Sequence, residues 1–166
     1  MCDMQWIVHF QTFHDLKYSF VKEFTALCIQ TCDVMQFTII GPQPVFCTTA
    51  EQIIFHTQMQ RHGLTFEAGN FSMLDFVCTL KKLLPKTSEI FVANTHIKKW
   101  LMKQDYEDVR INVLPQQTCW NKLNTCPQHR CDTHLEMPAY TCSKQICYEI
   151  YNYIRQALIP YFDFLI

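Results

Sequence analysis

The sequence predicts an α/β domain with a central mixed sheet of about five strands, flanked by helices. Three observations lead to this prediction. Segments rich in β-branched and aromatic residues fill the first forty residues, and helical and strand patterns alternate after them. Hydrophobic residues make up 49% of the 166 residues, which is enough for one good-sized core. We therefore expect residues 1–166 to form a single domain.

The first three segments predict an antiparallel meander of strands. They are apolar and rich in Val, Ile, Phe and Thr, and they cover residues 4–10, 18–31 and 34–40. His14-Asp15 marks the first turn and Cys32-Asp33 marks the second. Two prolines within residues 41–44 then end the sheet, because proline cannot donate a hydrogen bond to a neighbouring strand.

The rest of the chain alternates helices with strands. Helices are predicted over residues 50–61, 73–84, 95–104 and 139–158, and strands over residues 89–93 and 109–114. The second helix has one apolar stripe, made of Met73, Phe76, Val77, Leu80, Leu83 and Leu84. We expect Pro160 to end the last helix. This order of elements is that of an RNase H-like fold, and a generic α/β or α+β sandwich is the alternative.

Composition and charge exclude several classes of function. The chain has three glycines and neither a G-x-G-x-x-G nor a G-K-[ST] motif, so we expect no nucleotide cofactor. The formal net charge is −1, so any RNA binding requires a local basic patch. No apolar run reaches the length of a membrane span, and we expect no membrane partner.

The ten cysteines predict free thiols rather than a disulfide scaffold. The first ten residues lack the basic start and the continuous apolar stretch of a secretory signal. Cys28, Cys78 and Cys147 lie in apolar runs, where a free thiol behaves as a small hydrophobic residue. We therefore expect an intracellular protein in a reducing compartment.

A cluster of thiols and imidazoles near the C-terminus predicts a metal site. Its pattern is C-x-x-H-x-C-x-x-H-x₇-C, formed by Cys126, His129, Cys131, His134 and Cys142. These are the ligand types and the close spacing that a tetrahedral Zn²⁺ site requires. A cysteine-rich surface loop without a metal is the alternative.

A two-metal nuclease site requires clustered carboxylates, and the sequence does not place them where RNase H-like exonucleases need them. In those enzymes the first strand provides an Asp-x-Glu pair that helps to hold two hard cations. Here the first strand offers His9 and Gln11, and the nearest acid within the last helix is Glu149. We expect Asp75 and Glu149 to be solvated helix charges. Conventional two-metal hydrolysis is therefore not expected.

Three segments resemble the Maelstrom domain, an RNase H-like domain of the DnaQ-type exonuclease lineage. They are residues 21–26, residues 55–84, and the Cys126-x-x-His129 pair followed by Cys142 at the start of a helix. The resemblance spans roughly residues 18–154 and implies a zinc site with Glu23, Cys126, His129 and Cys142 as ligands. Cys131 or His134 are alternatives within the loop, and Cys119 lies further out.

The implied role of Glu23 also makes physical sense from the residues themselves. Glu23 is an acid in an otherwise apolar strand, where an unpaired buried carboxylate is costly. Coordination to Zn²⁺ compensates this cost and attaches the last helix to the sheet, so that binding energy becomes folding energy. The alternatives are an exposed edge-strand residue, or a partner for Lys22 or for a backbone amide.

The resemblance implies a function in RNA metabolism, as a pseudo-exonuclease that binds single-stranded RNA in small-RNA (piRNA-type) transposon silencing. Silencing-complex proteins are the implied partners, in the cytoplasm, in perinuclear germ granules or in the nucleus. The basic residues that we expect to contact RNA are Lys98, Lys99, Lys103, Lys81, Lys82 and Arg130. Solvated helix faces are the alternative for these residues.

Two other functions remain open from the sequence. One is a protein-interaction scaffold, whose contact surface is formed by the aromatic residues Tyr151, Tyr153, Tyr161, Phe162 and Phe164. The other is an unconventional single-stranded RNA endoribonuclease, with His134, Arg130 and Asp132 as its candidate polar groups.

Overall fold

The computed structural model describes residues 4–14, 19–41, 48–65, 67–115 and 142–162. In chain order, the elements are β1 (Gln5–His14), β2 (Ser19–Cys28), β3 (Val34–Thr38), α1 (Thr49–His62), α2 (Met73–Leu83), β4 (Glu89–Val92), α3 (Thr95–Met102), β5 (Arg110–Val113) and α4 (Ser143–Phe162). The predicted α/β class and the predicted order of strands and helices are confirmed.

The five strands form one mixed sheet with the order β3-β2-β1-β4-β5. β1 pairs antiparallel with β2, and β2 pairs antiparallel with β3, which confirms the predicted meander. β4 and β5 are added in parallel on the other side of β1. β1 is therefore the central strand, and β2 has neighbours on both edges.

Several element boundaries differ from the sequence prediction, among them the ends of β1 and β2 and both ends of α4. β1 continues to His14 instead of ending at residue 10, because residues 11–14 remain paired with β2 across a bulge. The bulge lies at Lys22, since Gln11 is opposite Glu23 while Thr12 is opposite Val21. The prediction that Pro160 ends the last helix is wrong, because α4 continues to Phe162. Pro160 removes one backbone hydrogen bond and crowds the carbonyl four residues earlier, a cost that is confined to the end of the helix.

One face of the sheet is covered by α2 and α3 through an aromatic cluster. Phe76 lies 5.1 Å from Phe24 on β2 and 6.0 Å from Trp100 on α3, measured between ring centroids. Phe37 of β3 lies 5.4 Å from Phe76. The apolar stripe predicted for α2 holds at Phe76 and at Leu80, which are fully buried, but not at Leu83, which is 45% exposed.

The opposite face is covered by α4, which packs on β1 and β2. Ile146, Ile150 and Ile154 are buried at four-residue spacing, as the sequence predicts. Glu23 and Thr25 contact the first turn of this helix, while the intervening Phe24 contacts α2 and α3. Successive residues of β2 therefore serve the two layers in turn.

Side-chain caps fix the start of two helices. Thr48 and Glu51 form a reciprocal capping box at the start of α1, and Ser72 accepts a hydrogen bond from the backbone amide of Asp75 at the start of α2. Both caps agree with the helix starts expected from the sequence. Within the residues that the structure describes, no helix is long and apolar enough to cross a membrane.

Candidate functional site

Glu23 lies in the middle of the sheet, and its side chain is fully buried. The alternative that it is an exposed edge-strand residue is wrong, because β2 pairs with β1 on one side and with β3 on the other. A buried carboxylate requires strong partners, since desolvation of the ionised form costs on the order of several kcal/mol. Buried ionisable groups of this kind are often part of a functional site.

Both oxygens of the Glu23 carboxylate accept hydrogen bonds. The side-chain amide of Gln36 on β3 donates to Oε1 at 2.6 Å, and the backbone amide of Ser143 donates to Oε2 at 3.0 Å. Ser143 is the first residue of α4, so the carboxylate also faces the positive end of the helix dipole. A hydrogen bond of 2.7 Å between Thr25 Oγ1 and Ser143 Oγ fixes the same junction. The predicted backbone-amide alternative for Glu23 is thus present.

Cys142, another predicted zinc ligand, lies beside Glu23. Its Sγ donates a hydrogen bond of 3.8 Å to Glu23 Oε1, although the two residues are 119 positions apart in the chain. The Cys142 side chain is buried, and its carbonyl accepts the first backbone hydrogen bond of α4, from Ile146 at 3.2 Å. The close approach therefore depends on where α4 begins.

The spacing between these two atoms suits one zinc ion. Zn–S bonds of about 2.3 Å and Zn–O bonds of about 2.0–2.2 Å at a tetrahedral angle place the sulfur and the oxygen about 3.5–3.7 Å apart. The distance of 3.8 Å between Cys142 Sγ and Glu23 Oε1 is close to this value. A hard carboxylate and a soft thiolate are also both accepted zinc ligands.

The other predicted ligands, Cys126 and His129, lie outside the described residues. So do the alternatives within and near the loop, namely Cys119, Arg130, Cys131, Asp132 and His134. Among the residues that are described, no group of three or more His, Cys, Asp or Glu side chains is arranged to hold a metal ion. The pair of Glu23 and Cys142 needs two further donors, so the complete ligand set stays a prediction.

Lys22 has its own buried partners at the end of β3. Its Nζ donates to the carbonyl oxygen of Ile39 at 2.9 Å and to that of Ala68. Burial lowers the pKa of the Lys22 amine to about 8, and the nearby charge of Glu67 opposes this shift only in part. The Lys22 amine therefore attaches the segment around Ala68 to the sheet.

Cys147, one turn further along α4, is a structural thiol. Its Sγ lies 3.6 Å from the carbonyl oxygen of Thr25 and 3.8 Å from that of Ile7, and the side chain is fully buried. Burial raises the pKa of this thiol well above its usual range, so it stays protonated. This agrees with the prediction that it behaves as a small hydrophobic residue.

The two acids expected to be solvated helix charges behave differently. Asp75 is exposed at the start of α2 and accepts a hydrogen bond of 2.6 Å from Ser72 Oγ. Glu149 is half-buried, and this burial raises the pKa of its carboxyl while a hydrogen bond with Gln145 opposes the shift. The expectation therefore holds for Asp75 but is wrong for Glu149, which faces the packed side of α4.

Lys98 and Lys99 of α3 and Lys103, the residue that caps its end, do not all share one face of the helix. Lys98 Nζ donates to the carbonyl oxygen of Ile111 on β5 at 3.1 Å, so this amine faces the sheet edge. Lys99 and the following Lys103 instead line a groove of about 420 Å³. That all three contact RNA therefore stays a prediction; Lys98 is turned away from the other two because a helix turns by about 100° per residue.

The groove adds residues that the sequence did not single out. Thr12 of β1 and Ser19 of β2 line one part of it, and the described lining residues are Thr12, Ser19, Val21, His96, Lys99, Trp100, Met102 and Lys103. These residues come from three elements, so no local motif could reveal them. The only signal in the sequence is the helical spacing of His96, Lys99 and Lys103.

The remaining predicted RNA contacts are dispersed. Lys81 forms a salt bridge with Asp105, and this hydrogen bond and charge lower the pKa of the Asp105 carboxyl. Lys82 is exposed in the last turn of α2. The structure therefore shows Lys82 as available to solvent, while Lys81 has an acidic partner.

The aromatic residues of α4 are only partly available for protein contacts. Tyr151 and Tyr153 are half-buried and pack against the core. The Tyr151 hydroxyl lies 3.3 Å from Cys32 Sγ, and the Arg155 guanidinium lies 5.7 Å from the centre of the Tyr151 ring. Phe164 lies outside the described residues, as do the side chains of Tyr161 and Phe162.

No protein-family model matches the sequence, and a search of curated proteins finds no significant match. The resemblance to the Maelstrom domain therefore depends on the residues themselves. Of the four zinc ligands that the resemblance implies, Glu23 and Cys142 are the two that the structure describes.

Proposed function

We propose that this chain is a zinc-stabilised RNase H-like domain of the Maelstrom type that binds single-stranded RNA without hydrolysing it by the two-metal mechanism. Its place is in small-RNA-guided (piRNA-type) transposon silencing, together with silencing-complex proteins. The observation that carries the proposal is the buried pair of Glu23 Oε1 and Cys142 Sγ, 3.8 Å apart. These are the first and last of the four ligands that the Maelstrom resemblance implies.

The sheet supports the RNase H-like part of the proposal. A meander of three antiparallel strands comes first, and two parallel strands are then added beside β1, with α3 between them in the chain. α4 closes the chain and covers β1 and β2. This succession is the one expected for that fold from the order of the elements.

The sequence of β1 argues against a two-metal nuclease. Its ten residues include no Asp or Glu, and two hard cations require carboxylates to hold them. The only acid of α4, Glu149, is half-buried and has a raised carboxyl pKa. The lack of acids in β1 and the burial of Glu149 both reduce the capacity of β1 and α4 to bind Mg²⁺.

A zinc ion here has a structural role. Glu23 and Cys142 would hold it from the sheet and from the start of α4, and Cys126 and His129 would complete the ligand set. When bound, zinc contributes its binding free energy to folding. Gln36 and the Ser143 amide hold the Glu23 carboxylate in place, as outer hydrogen-bond donors commonly do for metal ligands.

Basic side chains support the RNA-binding part of the proposal. Lys99 and Lys103 line the groove beside Trp100, and lysines next to an aromatic ring are typical of sites for single-stranded nucleic acid. The formal net charge of −1 makes such a local group of cations necessary. Arg130 remains a proposed contact within the zinc-binding loop.

Filter binding of a single-stranded RNA oligonucleotide, with the protein in its zinc-loaded and chelator-treated forms, tests this function. We expect the zinc-loaded protein to bind RNA with an affinity that falls as salt rises, and to leave the RNA intact in Mg²⁺. We expect chelation to weaken RNA binding, because the domain loses stability without zinc.

An RNA affinity that changes neither with salt nor with zinc contradicts the proposal. Cleavage in Mg²⁺ that is lost in an Arg130→Ala variant favours the endoribonuclease, and partner capture that survives RNase treatment with no RNA affinity favours the scaffold.

A further inference from the structure

The groove between α3 and the β1–β2 hairpin has the features of a nucleotide site. We propose that it holds one nucleotide of single-stranded RNA, with the phosphate at Lys99 and Lys103 and the base against Trp100. This inference rests on the proposed function and gives the RNA a specific place on the surface. The groove has a volume of about 420 Å³, which lies within the roughly 300–1,000 Å³ range of small-molecule sites.

The cationic part of the groove is built by the helical repeat of α3. Lys99 and Lys103 are four residues apart, so their amines extend from the same face of the helix. The hydrogen bond from Lys98 to the Ile111 carbonyl, at 3.1 Å, fixes the rotation of α3 that turns Lys99 towards the groove. Two neighbouring amines suit a doubly coordinated phosphate better than one.

The described part of the groove lining is cationic. The eight described lining residues include two lysines and one histidine but no Asp or Glu. Asp105, which follows α3 closely in the chain, is engaged by Lys81 instead. Among the residues that the structure describes, an anion in the groove therefore meets cations without a competing carboxylate.

The apolar part of the groove is rigid. Trp100 stacks on Phe76 with ring centroids 6.0 Å apart and contacts Phe10 edge-to-face at 5.3 Å. Its remaining surface lines the groove, together with Val21 and Met102. A ring held in this way loses little entropy when a flat base packs on it.

Hydroxyl groups complete the site. Thr12 and Ser19 line the groove from β1 and β2, at the end of the sheet where these strands are joined by the hairpin. Hydroxyls both donate and accept hydrogen bonds, so they suit a ribose or a phosphate oxygen. Cations, an aromatic wall and hydroxyls together match the parts of a ribonucleotide.

The first test compares single-stranded RNA binding of a Lys99→Ala/Lys103→Ala variant with that of a matched Arg61→Ala/Lys86→Ala variant. Both variants lose two exposed positive charges, so a general charge effect is the same in each. We expect the groove variant to lose roughly tenfold in affinity and to reduce the slope of log affinity against log salt by about 1.4. We expect the matched variant to change affinity by less than about twofold.

The second test titrates the zinc-loaded protein with AMP, with adenosine and with inorganic phosphate, and follows the Trp100 indole N–H signal by NMR. The signal is assigned by its loss in a Trp100→Phe variant. We expect AMP to shift it, adenosine to shift it far less, and inorganic phosphate to compete with AMP. Equal effects of AMP and adenosine overturn the inference, because they show that the lysines do not contribute.

The two proposals fail in different ways. If the protein binds no single-stranded RNA, the proposed function fails and the nucleotide site fails with it. If RNA binds but the groove variant behaves as the matched variant does, only the groove is excluded and the RNA lies elsewhere. Loss of affinity in the groove variant with an unchanged thermal unfolding temperature supports the site.

Discussion

The environment of Glu23 shows how a single buried acid is accommodated in an apolar sheet. Gln36 and the Ser143 amide each donate to one carboxylate oxygen, so neither oxygen depends on a metal for its hydrogen bonds. The 3.8 Å approach of Cys142 Sγ goes beyond this need, because it brings a second ligand type to the same oxygen. A carboxylate that only caps α4 does not require a thiol at that position.

A Glu23→Gln substitution is expected to lower the free energy of unfolding by about 1–3 kcal/mol. The new amide is a donor where the carboxylate accepted from Gln36 or from Ser143, so one buried hydrogen bond is lost. Urea unfolding measures the change, and Glu149→Gln is the matched control on α4. The control is expected not to lower the free energy of unfolding, because burial raises the pKa of the Glu149 carboxyl and so disfavours its ionised form in the folded protein. If zinc is bound, a chelator destabilises the wild type but not the Glu23→Gln variant.

Lys22 gives the domain a characteristic dependence on pH. Its pKa is about 8 in the folded protein and about 10.4 in the unfolded chain, so between these values the unfolded chain binds more protons. The free energy of unfolding attributable to Lys22 therefore rises with pH through this window. Burial raises the pKa values of Cys147 and of Tyr106, so these groups lower stability as the pH rises past their unfolded pKa values, about 8.5 for the thiol and about 10 for the phenol.

The measurement is urea unfolding at pH 8 and at pH 9 for the wild type and for Lys22→Met. We expect the wild type to gain about 1 kcal/mol, relative to the variant, between these two pH values. The difference between the two proteins removes the contributions of all other titrating groups. An equal response to pH in both proteins contradicts the assignment.

At the scale of elements, the sheet is connected to its surroundings by a few close contacts. Gly69 has a φ of 151°, and a Cβ atom there would lie 2.6 Å from the backbone nitrogen of Ile40. The Asn70 amide donates to the Thr38 carbonyl at 2.9 Å, beside the carbonyls that hold Lys22. The segment before α2 thus depends on a residue without a side chain.

Gly69→Ala is expected to destabilise the fold by about 2–4 kcal/mol, since both the backbone angle and the contact with Ile40 are unfavourable. Gly63→Ala is the matched control, because Gly63 ends α1 with a φ of 61°. We expect that control to cost only about 1 kcal/mol. Thermal or urea unfolding measures the loss of stability in each variant. Equal losses in the two variants would show that the close approach of Gly69 to Ile40 does not contribute.

Apolar patterning was sufficient to predict most elements, because it follows directly from which residues are buried. The boundaries were less accurate, since the extension of β1 to His14 depends on pairing with β2 and not on its own composition. The orientation of Lys98 was missed for a similar reason, as its partner Ile111 belongs to β5. Tertiary contacts decide such details.

In the candidate site, too, local sequence patterns predicted some residues, and residues brought in by tertiary contacts were missed. The short loop spacing and the resemblance together singled out Glu23 and Cys142, but Gln36 was not expected. A lone glutamine in a short strand carries no signal until the neighbouring strand is known. The groove was also missed, because Thr12 and Ser19 meet α3 only in three dimensions.

At the scale of the whole molecule, the fold joins the second strand to the last helix. Glu23 and Cys142 are separated by 119 residues, and the contact between them closes most of the chain into one loop. Closing such a loop costs conformational entropy, which grows slowly with its length. The proposed zinc ion would offset that cost, and the attachment of α4 would then depend on zinc.

The most direct test of this account is the zinc content of the purified protein, measured by elemental analysis for the wild type and for single Cys→Ser variants. We expect one zinc per chain in the wild type, and a loss of zinc in Cys142→Ser and in Cys126→Ser. Cys78→Ser, in an exposed position on α2, is the control and is expected to keep its zinc. A wild type without zinc, or a Cys142→Ser variant that retains a full equivalent, contradicts the central claim.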